Sequence, residues 1–136
     1  MGEHNNSLQS NEDGTPMGIE NIYEHPNYDP ATTNFDFVMI KLKEKVALGG
    51  TSIPASLATK EMDDEFFTKK TFSVSGWGSL DYGGSSPDVL QSVDVPFVSN
   101  TVCSELYGDA ITDQMLCAGT IKGAGADSCQ GDSGGM

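Results

Sequence analysis

The apolar positions of this chain come in short bursts, and each burst is closed by turn-forming residues. Ile19, Ile22 and Tyr23 supply the bulk of a first burst over 18–25, which predicts a short strand. His25-Pro26-Asn27-Tyr28-Asp29-Pro30 follows, and its two prolines exclude a helix there. The most apolar stretch is 35–42, Phe-Asp-Phe-Val-Met-Ile-Lys-Leu. It is short and rich in β-formers, so it predicts a buried strand. Residues 43–50 form a turn. Residues 71–76 predict a strand that ends in Gly76-Trp77-Gly78, and 81–87 a Gly/Ser/Pro loop. Val89, Val93, Val95 and Phe97 mark a further strand. Residues 100–107 predict a short helix with Asn100 as its N-cap. Met115-Leu116-Cys117-Ala118-Gly119 is strand-like, whereas 1–16 and 122–135 read as polar and Gly-rich loops. Short strands at regular spacing, with turns between them, predict an all-β barrel or sandwich. No internal repeat and no linker interrupts the series.

Composition narrows the partners. The 136 residues suit one domain. Seven lysines and no arginine face twenty Asp plus Glu, for a net charge of −13. A chain this acidic, without a basic cluster, is unsuited to nucleic acid or to an anionic membrane. No apolar run approaches the roughly 18 residues of a membrane span. The start, Met1-Gly2-Glu3-His4-Asn5-Asn6, is polar and unlike a signal peptide, and position 6 is not the Ser or Thr of a myristoylation pattern. Apolar residues at 37%, together with 16 glycines, argue for a folded, turn-rich domain rather than disorder. The acidic run Glu61-Met62-Asp63-Asp64-Glu65 reads as a solvated loop. Asn5-Asn6-Ser7 matches the glycosylation acceptor pattern.

Three cysteines, Cys103, Cys117 and Cys129, fit neither a paired zinc site nor a complete disulfide set. The odd one is a free thiol, a bond to another chain, or a thiol whose partner lies outside this segment.

The chemistry concentrates in Asp127-Ser128-Cys129-Gln130-Gly131-Asp132-Ser133-Gly134-Gly135. A serine flanked by glycines leaves its hydroxyl open and lets backbone N–H groups approach a substrate. Such N–H groups can form an oxyanion hole. The pattern also matches the nucleophile elbow of α/β-hydrolases, but that reading needs a strand before the serine and an acid and a histidine after it. Here a loop precedes it.

With these residues in view, the chain resembles the trypsin/chymotrypsin-like serine proteases. Asn34-Phe35-Asp36-Phe37-Val38-Met39-Ile40-Lys41-Leu42 looks like the family's segment around its catalytic aspartate. Ser75-Gly76-Trp77-Gly78, Met115 to Gly119 and Asp127 to Gly135 look like three further family blocks, in the family's order. Gly2-Glu3-His4-Asn5 and His25-Pro26-Asn27-Tyr28 sit where the family has similar loops. The resemblance implies an all-β, two-barrel trypsin-like fold, present only in part. Residues 1–136 would then be one partial peptidase domain lacking its N-terminal and C-terminal portions.

The roles the resemblance implies are specific. Ser133 would be the nucleophile, and Asp36 would orient the catalytic histidine and stabilise its charged form. Gly131 and Ser133 would donate the oxyanion-hole N–H groups. Asp132 would pair with the new N-terminal ammonium of the activated enzyme. Asp127 would sit at the base of the specificity pocket and select Lys or Arg, with Ser128 lining the pocket and Gln130 at its rim. Cys103 and Cys117 would form a disulfide, and Cys129 would pair beyond residue 136. Phe72 stands where many members have another cysteine, so that bridge is expected to be absent. Disulfides imply an oxidising compartment and hence a secreted protein. Protein or peptide substrates, and protein protease inhibitors, are the implied partners, and no cofactor is implied.

The departures concern the base and the metal. The family's histidine lies in an Ala-Ala-His-Cys context, which neither His4 nor His25 has. Both read as ordinary surface or turn histidines, so the segment alone is expected to be inactive. A family-like calcium loop near Glu3, Asn5 and Glu12 does not keep the family spacing, and no metal site is assigned. The expected function is that of a serine endopeptidase. The alternative is an inactive homologue that acts as a secreted binding or inhibitory protein.

Overall fold

The computed structural model describes residues 3–6, 15–50, 52–59, 67, 70–122, 125 and 127–135. The acidic run at 61–65 and Glu12 lie outside these residues. Strands dominate the described part. Strands β1 (Ile19–Glu24) and β2 (Val38–Leu42) pair antiparallel as a two-stranded ribbon. Strands β3 (Thr71–Gly76), β4 (Gln91–Val98) and β5 (Cys117–Ala118) form a three-stranded sheet with β4 in the middle. Helix α1 (Asn100–Tyr107) follows β4 and runs into a 3-10 turn at Gly108–Ala110.

The register fixes which residues face each other and, for one ladder, why it stops. In the ribbon Glu24 faces Val38 and Ile22 faces Ile40, with a bulge between Ile19 and Asn21. In the sheet Thr71 faces Pro96 and Gly76 faces Gln91, while Phe97 faces Ala118. Beyond that last pair the Pro96 carbonyl still accepts from Gly119 N at 2.8 Å. Proline has no N–H to return the bond, so the β4–β5 ladder ends after two pairs. The N-terminal segment joins the same half of the molecule, with Leu90 N donating to His4 O and Asn6 N to Asp88 O.

Helix α1 forms where the sequence predicts it, but its N-cap is Ser99, one residue earlier than expected. Ser99 has extended backbone and its hydroxyl accepts from Val102 N. Asn100 uses its amide differently. Its Nδ2 donates to the Thr112 and Met115 carbonyls, tying the helix to the segment that leads into β5. The disulfide Cys103–Cys117 closes the same link, with Cα atoms 6.4 Å apart. Around it lies the small described core of Val95, Val98 and Cys103. Phe72, at the position of the absent family cysteine, packs in an aromatic trio with Phe67 and Phe97 at centroid distances of 5.6–6.2 Å.

One expectation fails. Of the strand predicted over 35–42, only 38–42 form one, and it is not buried. Val38, Met39 and Ile40 are 49%, 72% and 52% exposed, and Ile22 and Tyr23 of β1 are equally open. A strand buries its side chains only against a second layer. Among the described residues β2 has one neighbouring strand and no layer above or below it.

Candidate active site

The loop from 25 to 37 carries the first candidate residue. It is pinned at Asp29, whose Oδ1 accepts from Ala31 N at 2.9 Å and whose Oδ2 accepts from the Thr32 hydroxyl at 2.8 Å. The Ala31 N–H, then the Thr32 hydroxyl, hold the Asp29 carboxyl below the usual carboxylate range. Asp29 and Asn34 bridge the loop across its neck. Thr33 and Phe35 both take left-handed backbone, with φ of 56° and 54°. Such conformations are disfavoured for residues with bulky or branched side chains and persist where surrounding contacts hold them. Asn34 Oδ1 accepts from the Thr112 hydroxyl at 2.7 Å, so a residue beyond α1 braces this distant loop.

The second loop, 127–135, is built around Asp132. Its Oδ1 accepts from Gly78 N at 2.8 Å and its Oδ2 from Cys129 N at 2.9 Å. The Gly-Trp-Gly sequence has a direct reason here. A Cβ on Gly78 would lie 2.5 Å from the Asp132 carboxylate, and one on Gly76 would collide with Oδ1. Gly131, at φ +101°, passes close to the Gly78 backbone. Ser79 N donates to Gln130 O, which fastens the loop to the end of β3.

Two clefts result. The larger, about 700 Å³, is lined by Asp36 and Ser133 together, with Ile22, Glu24, Tyr28, Phe37 and Val38 from the first half and Gly134 and Gly135 from the second. Asp36 and Ser133 are both exposed. The smaller, about 320 Å³, takes Asp81, Asp127, Ser128, Cys129 and Asp132 on its walls, along with Gly76 and Gly78. Gln130 and Gly131 line neither cleft. Asp127 Oδ1 accepts from Ser128 N at 2.8 Å. The thiol of Cys129 is free and lies 2.9 Å from Gln130 Oε1. Among the described residues no cluster of His, Cys, Asp and Glu is arranged to hold a metal ion. No helix among them is long and apolar enough to cross a membrane.

The model of the Trypsin family matches residues 1–135. The chain belongs to the trypsin family. Three relatives illustrate the likeness. Serine protease 1 of Rattus norvegicus is 39% identical over 99% of this chain and 53% of its own length. Trypsin 5G1 of Aedes aegypti is 37% identical over 95% of this chain and 48% of its own. Trypsin of Simulium vittatum is 36% identical over 91% and 50%. The chain thus spans about half the length of these trypsin relatives. Its strand-dominated architecture is that of the all-β trypsin fold, present in part, and Cys103–Cys117 is a disulfide in it, as expected.

Sequence reasoning about this trypsin-family chain missed two contacts near Asp36. The Thr112–Asn34 bond links distant positions and has no signature in the sequence. The ring of His25 is not idle as expected of a turn histidine, because Phe35 and Phe37 both pack on it. Phe35 and Phe37, the two aromatic rings flanking one aspartate, were the available signal.

Proposed function

We propose that the protein to which this chain belongs is a secreted trypsin-like endopeptidase that cleaves after Lys or Arg. The observation that carries the reading is the shared cleft of Asp36 and Ser133, two residues far apart in the chain. Residues 1–136 are one partial peptidase domain, and the base that takes the Ser133 proton comes from the rest of the protein. No histidine lines this cleft among the described residues.

The chemistry follows from the residues in place. Ser133 Oγ attacks the scissile carbonyl, and Asp36 holds and charge-stabilises the base. The N–H groups of Gly131 and Ser133 receive the developing oxyanion. Gly131 at φ +101° and Gly134 at φ +81° give the backbone the turn such donors need. Asp132 takes its backbone bonds from Gly78 and Cys129, and no cation pairs with it among the described residues. An N-terminal ammonium is the partner proposed for it. Asp127 selects a Lys or Arg side chain, with Ser128 beside it in the same cleft and Gln130, which lines neither cleft, proposed for the rim. The Asp81, Asp127 and Asp132 carboxylates share one cleft, which suits cationic groups. The substrates are proteins or peptides, and protein inhibitors of such enzymes are expected to bind the same cleft. The segment alone, lacking the base, is inactive.

The test is a fluorophosphonate probe applied to the full-length protein. Labelling at Ser133, abolished by Ser133→Ala, supports the protease. A folded full-length protein that resists the probe points to an inactive homologue acting by binding. In serine proteases, amidating the triad aspartate lowers kcat by about 10⁴, so Asp36→Asn should do the same. Asp127→Ala should remove the preference for Lys and Arg esters.

A further inference from the structure

We infer that His25 is the positioning residue for Asp36, acting as a ring onto which both neighbours of that aspartate are clipped. The inference rests on the proposed role of Asp36. The imidazole stacks on Phe35 with centroids 4.7 Å apart and planes 7° apart. It packs against Phe37 at 4.6 Å with a tilt of 51°. Asp36 lies between these two residues in the chain, so its Cα is held from both sides through one ring.

The ring is itself fixed. Nδ1 accepts from Asn27 N at 3.2 Å, His25 N donates to Phe37 O at 3.3 Å, and His25 O accepts from Tyr28 N at 2.9 Å. The side chain, the backbone and the turn after it form one unit.

Strain gives the clip a task. Phe35 sits at φ 54°, a region that bulky residues avoid unless something holds them. The nearly parallel stack supplies that hold. Without it Phe35 is free to relax to extended backbone, and the adjacent Asp36 would swing with it. A displacement of about 1 Å in a catalytic group can cost as much as a hundredfold in rate. Aromatic pairs at these distances are favourable beyond the area they bury.

The experiment uses the full-length protein with His25→Ala and His25→Phe. Active-site titration corrects kcat for the folded fraction, so a purely structural loss leaves it unchanged. For His25→Ala, kcat per titrated site on a Lys ester should fall about tenfold with KM unchanged. His25→Phe, which keeps the stack and loses the Nδ1 acceptor, should recover most of that loss. Amide exchange at Asp29 and Phe37 should quicken in His25→Ala and return in His25→Phe, while β3 and β4 stay protected. An unchanged titrated kcat in His25→Ala overturns the inference, and so does a His25→Phe variant as impaired as His25→Ala. If the wild-type protein is not labelled at Ser133, the protease reading falls instead. The exchange measurement then decides alone whether His25 holds the Asp36 loop.

Discussion

The β1–β2 ribbon and the β3–β4–β5 sheet are built from similar residues and end in opposite conditions. In the ribbon every residue of β1 and the first four of β2 are exposed. In the sheet Val95 and Val98 are buried, with Cys103 from α1 beside them. The difference is not one of β-propensity, because Val-Met-Ile in β2 is as good a strand as Val-Asp-Val in β4. The sheet has a middle strand, and a disulfide joins α1 to its β5. The ribbon has one partner strand each way, and two-stranded ribbons are marginal in water. Its exposed apolar edges also invite pairing with other chains. Pattern decides which residues can make a strand, and the number of layers decides what the strand is worth.

The comparison can be broken or sharpened by mutation. The largest effect is expected at the disulfide. Cys103→Ala with Cys117→Ala opens a loop of 14 residues' separation. It should cost the sheet half about 3 kcal/mol, read as a lower urea midpoint, with the ribbon's NMR shifts unmoved. Gly78→Ala comes next, since its Cβ would meet the Asp132 carboxylate at 2.5 Å. A cost of about 1–3 kcal/mol is expected from the forced shift, with loss of the Gly78 N–Asp132 bond visible in amide exchange. The pair Val95→Ala and Met39→Ala sets the two regions side by side. Val95 is 2% exposed and Met39 72%. Truncating Val95 should cost about 2 kcal/mol, and truncating Met39 under about 0.5 kcal/mol. Equal costs would mean that the ribbon is covered in solution.

The smallest effect is a pH dependence confined to the 29–34 loop. The folded pKa of Asp29 is depressed, so its contribution is present above the unfolded carboxylate value and is lost as pH falls through the folded one. Acidification below the usual carboxylate range should therefore move the NMR shifts of the Ala31 and Thr32 amides. Asp29→Asn should abolish that dependence.

Much of this was legible beforehand, and the gaps have physical causes. The first ribbon strand, most of the second, β3, most of β4 and α1 lie where the sequence puts them, because turn residues and short apolar runs are local signals. The Cys103–Cys117 bond was implied by the family resemblance and not by those signals. The apolar run 35–42 reports affinity for a core, not the presence of one, so its strand part, 38–42, stays exposed. The Asn100 side chain suits a cap, but Ser99 holds that position and leaves the amide to reach Thr112 and Met115. The Ser133 loop announced itself through its glycines. Its contact with Gly76 and Gly78 did not, because nothing in one sequence says that a carboxylate fills the space beside them.

Trp77 lies between those two glycines and is the single tryptophan of the chain. Its indole N–H is buried and finds no acceptor among the described residues. The residues on either side of it border the Asp132 carboxylate. A positive charge arriving at that carboxylate changes the electric field beside the chain's one strongly emitting fluorophore. The colour of its emission is therefore a built-in optical gauge of whether the carboxylate has been neutralised, and it can be read without attaching a label.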